Sequence, residues 1–173
     1  EPVASKRVLK FVKEPGEGEK KLPKQAAQIL QLVKDAGDEG INMDALIKKM
    51  DGVIETVIRT VVEPGERVAV STPTFSFYGI AAAAHGAEVV NIPREEDFSV
   101  DPARFVDGAQ GAKLAFLCTP NNPTGNSVSP AAVEEILEGL DGLLFLDNAY
   151  VDFADIDYRP LMQRYENLVI GRT

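Results

Sequence analysis

The chain has 173 residues, 45% of them hydrophobic and 26% charged, which allows a sizeable core in one medium domain, with or without a small second piece. A net charge of −9 argues against generic nucleic-acid binding, a single cysteine excludes an internal disulfide framework, and one cysteine with one histidine argues against a His/Cys metal site. With no run of about 18 apolar residues and no signal-peptide pattern at the start, the sequence predicts a soluble, non-exported, cytoplasmic protein without a membrane partner.

The charge is uneven. Residues 1–50 hold ten Lys/Arg and eight Asp/Glu, whereas residues 51–173 hold eight and nineteen. The two parts differ in kind, so we place a boundary at residue 50. EPGEGEKK (14–21) reads as a turn or linker. Pro23 opens a first helical run whose Ala26, Ile29, Leu30 and Val33 recur at helical spacing, with Gly37 as its terminator. Asn42 could cap a second helix, MDALIKKM, and a third, GVIETVIRTVV, stops before Pro64-Gly65. This order is similar to a winged-helix arrangement, with RVAV as a wing strand. A DNA-reading helix should be basic, yet Asp51–Val62 offers Arg59 against Asp51 and Glu55, so a protein-contact module is the better expectation for this part.

After Gly65 the rhythm changes to strands alternating with helices. RVAVS (67–71), EVVNIP (88–93), KLAFLCTP (113–120), GLLFLD (142–147) and NLVIGRT (167–173) read as strands. FYGIAAAAHG, DPARFVDG and SPAAVEEILEGL read as helices, the last with Ser129 as N-cap and Pro130 at its first position. Near-continuous apolar strands separated by helices predict an α/β fold, a mainly parallel sheet with flanking helices, preceded by a small helical segment. Cys118 reads as a buried thiol and His85 as a helix-end residue.

In open parallel sheets ligands bind beyond the carboxyl ends of the strands. Several polar and aromatic groups fall there: Phe75 after RVAVS, Asn122 in the stretch LCTPNNPTGN, Asp147 at the end of GLLFLD, Tyr150 three residues later, and Thr173 at the end of NLVIGRT. Taken singly each has a plainer reading. An Asp ending a strand is often a cap, Asn-Pro-Thr-Gly can be a simple turn, and Phe75 could be core.

Together, STPTFSFYG, LCTPNNPTGN, LDNAYVDF and NLVIGRT resemble the large domain of the fold-type I pyridoxal-phosphate aminotransferases, most nearly their histidinol-phosphate branch, over about residues 50–173. The resemblance implies pyridoxal phosphate as cofactor and a small-molecule substrate. It implies that Asn122 and Tyr150 bond the cofactor's phenolic oxygen, that Asp147 pairs with the pyridine nitrogen, that Phe75 stacks on the ring and that Thr173 contacts the phosphate. Asp51, beside Gly52, would match the family's phosphate-cradling turn at a helix N-terminus, although Lys48 and Lys49 stand where the family has small residues. Asn121 reads as a turn residue. Asn148 stands where the family usually has Glu.

The family's lysine that holds the cofactor covalently sits three residues beyond the threonine matched by Thr173. No catalytic residue is therefore assigned within this stretch, which by itself is expected to be inactive. The alternative reading is a non-catalytic chimeric module. A five-stranded sheet with open edges predicts self-association into a homo-oligomer.

Overall fold

The structure, a computed structural model, describes residues 43–172. Helix α1 spans Met43–Val61. Ile54, Val57, Ile58 and, just past its end, Val62 are buried at helical spacing, while Glu55 and Arg59 face water. The sequence reading expected two helices here. Gly52 does not break the run, because one interior glycine costs only about 1 kcal/mol and a buried stripe begins just beyond it at Ile54. The expected boundary at residue 50 therefore falls inside one continuous helix. The linker, the first helix, Asn42 and Thr173 lie outside the described residues.

Gly65, with φ of +89°, turns the chain through a conformation that suits glycine, and its N–H bonds Gly86 O at 2.8 Å. Beyond it come β1 (Arg67–Thr72), α2 (Phe77–Ala84), β2 (Glu88–Pro93), α3 (Pro102–Gly108), β3 (Ala112–Cys118), α4 (Pro130–Gly139), β4 (Leu143–Asp147) and β5 (Leu168–Gly171). Each expected strand and helix of this stretch is present. The caps behave as expected: Ser129 Oγ accepts from Ala132 N at 3.2 Å, and Asp101 caps α3 likewise through Arg104 N. Two short 3-10 turns, Val151–Phe153 and Arg159–Gln163, were not anticipated.

The strands form one sheet in the order β2-β1-β3-β4-β5, every pair parallel. This corrects the wing assignment for RVAV: β1 is an interior strand between two parallel neighbours, where a wing would be half of an antiparallel hairpin. Alternation along the strands fills two cores. Val68, Val70, Leu114, Phe116, Cys118 and Phe145 pack with α1 and α2. Ala69, Ala115, Leu117, Leu144 and Leu146 pack with Phe105 of α3 and Val133, Ile136 and Leu137 of α4. No helix among the described residues is long and apolar enough to cross a membrane.

Candidate functional site

The strand order reverses direction once. From β1 the chain steps outward to β2, then returns to lay β3 against the other side of β1. Such a switch point leaves a crevice beyond the carboxyl ends of the two central strands. The segments that leave β1 and β3 meet there and are sewn together. Asn121 donates through Nδ2 to Pro73 O at 3.0 Å and to Thr124 Oγ1 at 2.8 Å, and its Oδ1 accepts from Thr74 Oγ1 at 2.7 Å. Its backbone closes the loop through Asn126 O and Gly125 N. The side chain of Asn121 is thus spent on holding the two loops, which is more than a turn residue does.

Arg94, at the end of β2, adds a clamp. It is 7% exposed; its backbone N–H bonds Thr72 O, and its guanidinium reaches Cys118 O at 3.1 Å and Phe98 O at 3.2 Å. It thereby ties the ends of β1, β2 and β3. Burial holds its pKa below the usual arginine value.

Asp147 ends β4 on the α1–α2 side of the sheet and is 5% exposed. Its Oδ2 accepts from Tyr78 Oη, and its Oδ1 from Ala149 N at 2.9 Å. Burial pushes its carboxyl pKa up, and the two hydrogen bonds work against that rise. Tyr78 is fully buried; its ring stacks on Phe116 at 4.8 Å and meets Phe75 edge-on at 5.6 Å. Cys118 lies in the same cluster. Its thiol is pushed up to about 12, first by burial and then by Asp147, which makes it inert as a nucleophile. The backbone N–H of Asn122 points at that sulfur. The Asn122 amide, half-buried, makes no side-chain hydrogen bond among the described residues. Phe75, Asn122 and Asp147 therefore converge on one corner, linked through Tyr78 and Cys118.

A second polar network supports the asparagine loop from the α3–α4 side. Tyr158 Oη donates to Val128 O and accepts from Thr119 Oγ1 at 2.9 Å, while Thr119 Oγ1 accepts from Val128 N at 2.9 Å. Asn148 Nδ2 donates to Thr119 O at 2.8 Å. In place of a carboxylate beside Asp147, the chain thus has an amide that fastens β4 to the loop after β3. A cavity of about 390 Å3 opens next to this network, lined by Asn148, Tyr158, Arg159 and Arg172 among others.

Other expected site residues stand apart. Tyr150 caps the first 3-10 turn, is 43% exposed, and forms no hydrogen bond to Asn122 or Asp147. Asp51 lies within α1 rather than at a helix N-terminus, so the backbone around Asp51 and Gly52 is helix interior and offers no free N–H groups to an anion. Its Oδ1 is buried without a partner, and its pKa is raised by burial and by Glu55. The sequence reading missed Tyr78, Arg94 and Tyr158. A signal for the first lay in STPTFSFYG, where a tyrosine follows Phe75 by three residues, one helical turn.

A parallel α/β sheet with an acidic and aromatic cluster at its switch point is the architecture in which open α/β folds place their ligand sites. The chain belongs to the aminotransferase class I and II family, which matches residues 23–173. It is 83% identical over 124 residues to the histidinol-phosphate aminotransferase of Methanoculleus marisnigri, covering 72% of this chain and 35% of that protein. It is 38% identical over 172 residues to the enzyme of the same name from Methanosarcina mazei, covering 98% and 47%. Among solved structures, the histidinol-phosphate aminotransferase of Sinorhizobium meliloti in complex with pyridoxal 5'-phosphate superimposes with a TM-score of 0.65 at 28% identity, over 72% of this chain and 35% of that one. The chain thus spans between a third and a half of the length of these relatives.

Proposed function

We propose that these residues form the ring-binding part of a pyridoxal-phosphate-dependent aminotransferase of the histidinol-phosphate type, which moves an amino group between histidinol phosphate and 2-oxoglutarate in the cytoplasm. The observation that carries the reading is the buried Asp147 carboxylate beside Phe75 and Asn122 at the switch point. These residues fit the ring of the cofactor. Asp147 has no cation partner among the described residues, so a ring N–H would complete it. The free Asn122 amide can donate to a phenolic oxygen, Phe75 offers an aromatic face, and Tyr150 would need to approach from its exposed position. When bound, the cofactor supplies an electron sink. The chain's part is to hold the ring-nitrogen proton at Asp147 and to fix the ring plane. The residues around Asp51 do not fit a phosphate, and we assign them no role in holding one.

Two further parts of the reading are ours as well. The relative of highest quoted identity aligns over 124 residues, the length of segment 50–173, which supports a join near residue 50. The family match from residue 23 and the unbroken α1 favour continuity instead. Hydrogen exchange across α1 separates these readings: a join predicts that residues 43–50 exchange apart from residues 51–61. We also propose a homo-oligomer, because β2 and β5 present edges with no strand beyond them among the described residues.

The direct test is a titration of the 173-residue chain with pyridoxal phosphate, followed by NMR at Asn122 and Phe75. A stacked ring and one charged hydrogen bond give roughly millimolar binding, weakened further in Asp147→Ala. Absence of shifts at several millimolar ligand, or shifts indifferent to Asp147→Ala, would overturn the reading.

A further inference from the structure

We propose that Tyr78 is the positioning residue of this site, its hydroxyl holding the Asp147 carboxylate and its ring holding Phe75 in place for a cationic nitrogen heterocycle. The inference rests on the cofactor reading above for the identity of the ligand, and on geometry for the rest.

Packing alone does not call for a tyrosine at this position. Its ring is fully buried, stacked on Phe116 and edge-on to Phe75, and a phenylalanine would fill the same space. The hydroxyl is the added feature, and a buried hydroxyl needs a partner. That partner is Asp147 Oδ2, 69 residues away on a different element. With Ala149 N–H on Oδ1, the carboxylate is gripped at both oxygens by neutral donors. The groups that face it are Tyr78 from α2 and Cys118 from β3, with Arg94 acting on those two from the end of β2.

The choice of a neutral donor matters. A lysine or arginine at position 78 would also fix the carboxylate, but would spend its charge in a closed ion pair. A phenol fixes it and leaves the charge unneutralised. Burial raises the Tyr78 phenol well above its ordinary value, so it stays a donor over any accessible pH and does not become a competing anion. The same side chain sets the edge-on angle of Phe75, so the two groups expected to meet a ring nitrogen and a ring face are referenced to one residue.

The test is Tyr78→Phe in the 173-residue chain, with thermal unfolding as a check of fold. The first readout is the 13C titration of the Asp147 side-chain carbon, which should move to higher pH when its charged form loses a donor. The second is binding of pyridoxine 5'-phosphate, which lacks the aldehyde and cannot form adducts with surface lysines; it should weaken about tenfold, as befits a hydrogen bond to a charged group. Phe116→Leu, which alters the packing and spares the hydroxyl, should leave the Asp147 midpoint in place. Should Tyr78→Phe fail to fold, 3-fluorotyrosine at position 78, a more acidic donor, should move that midpoint to lower pH. An unmoved midpoint in Tyr78→Phe, or an equal displacement in Phe116→Leu, would overturn the positioning role. If the midpoint moves but the unaltered chain binds no pyridoxine phosphate, the positioning role stands and the cofactor reading falls.

Discussion

Among the described residues, Asp147 is the one acidic side chain taken almost wholly out of water. Its raised pKa makes it a cost to the empty fold at neutral pH. Because the folded value lies above the unfolded one, the favourable contribution is complete below about pH 4 and is lost as pH rises through the folded value. Asp147→Asn keeps both hydrogen bonds, since its Oδ1 still accepts from Ala149 N and its Nδ2 can donate to Tyr78 Oη. It should therefore stabilise the ligand-free chain at pH 7 by about 1 kcal/mol, or roughly 3 °C in Tm, with the gap closing near pH 4. Calorimetry at both pH values checks this, and an Asn variant less stable than the parent at pH 7 would contradict it. That Phe75, Asn122 and Asp147 stand at strand ends was legible in the sequence, because each ends or follows a recognisable strand. The role of Tyr78 was not, although the tyrosine itself stands three residues after Phe75, because the carboxylate that gives its hydroxyl a purpose is 69 residues distant.

At the scale of elements, the strands were legible because β3 and β4 are covered on both faces and read as unbroken apolar runs. The merger of two expected helices into α1 was not, since the weak break at Asp51-Gly52 is overridden by the stripe from Ile54 to Val62 on the sheet. The two 3-10 turns carry no periodic signal of their own. One glycine marks a close approach that limits this layer. A Cβ at Gly142 would lie 2.2 Å from Ala112 O and 3.0 Å from Lys113 O, both backbone atoms at the start of β3. Gly142→Ala must push the entry of β4 away from β3, and should cost about 2–3 kcal/mol. Urea unfolding checks it; a loss below 0.5 kcal/mol would mean that the β3–β4 start is slack. Because Asp147 sits at the other end of β4, the same variant should also disturb its titration.

At the scale of the whole molecule, the net charge of −9 does not by itself prevent association, because repulsion between surface charges is screened beyond roughly 8 Å at physiological ionic strength. Size-exclusion chromatography with light scattering at micromolar concentration should therefore find a dimer or larger species, and a clean monomer would remove the homo-oligomer proposal. The strand order has another consequence, for synthesis. Once β1 and β2 have paired, β3 docks on the free side of β1, β4 on β3, and β5 on β4. Every later strand thus adds to one growing edge in the order in which it leaves the ribosome. Among the described strands, none has to wait for a later one to be inserted between it and its neighbour. The sheet can be laid down by accretion while the chain is still being made, and the corner that joins Tyr78 to Asp147 closes only when the fourth strand arrives.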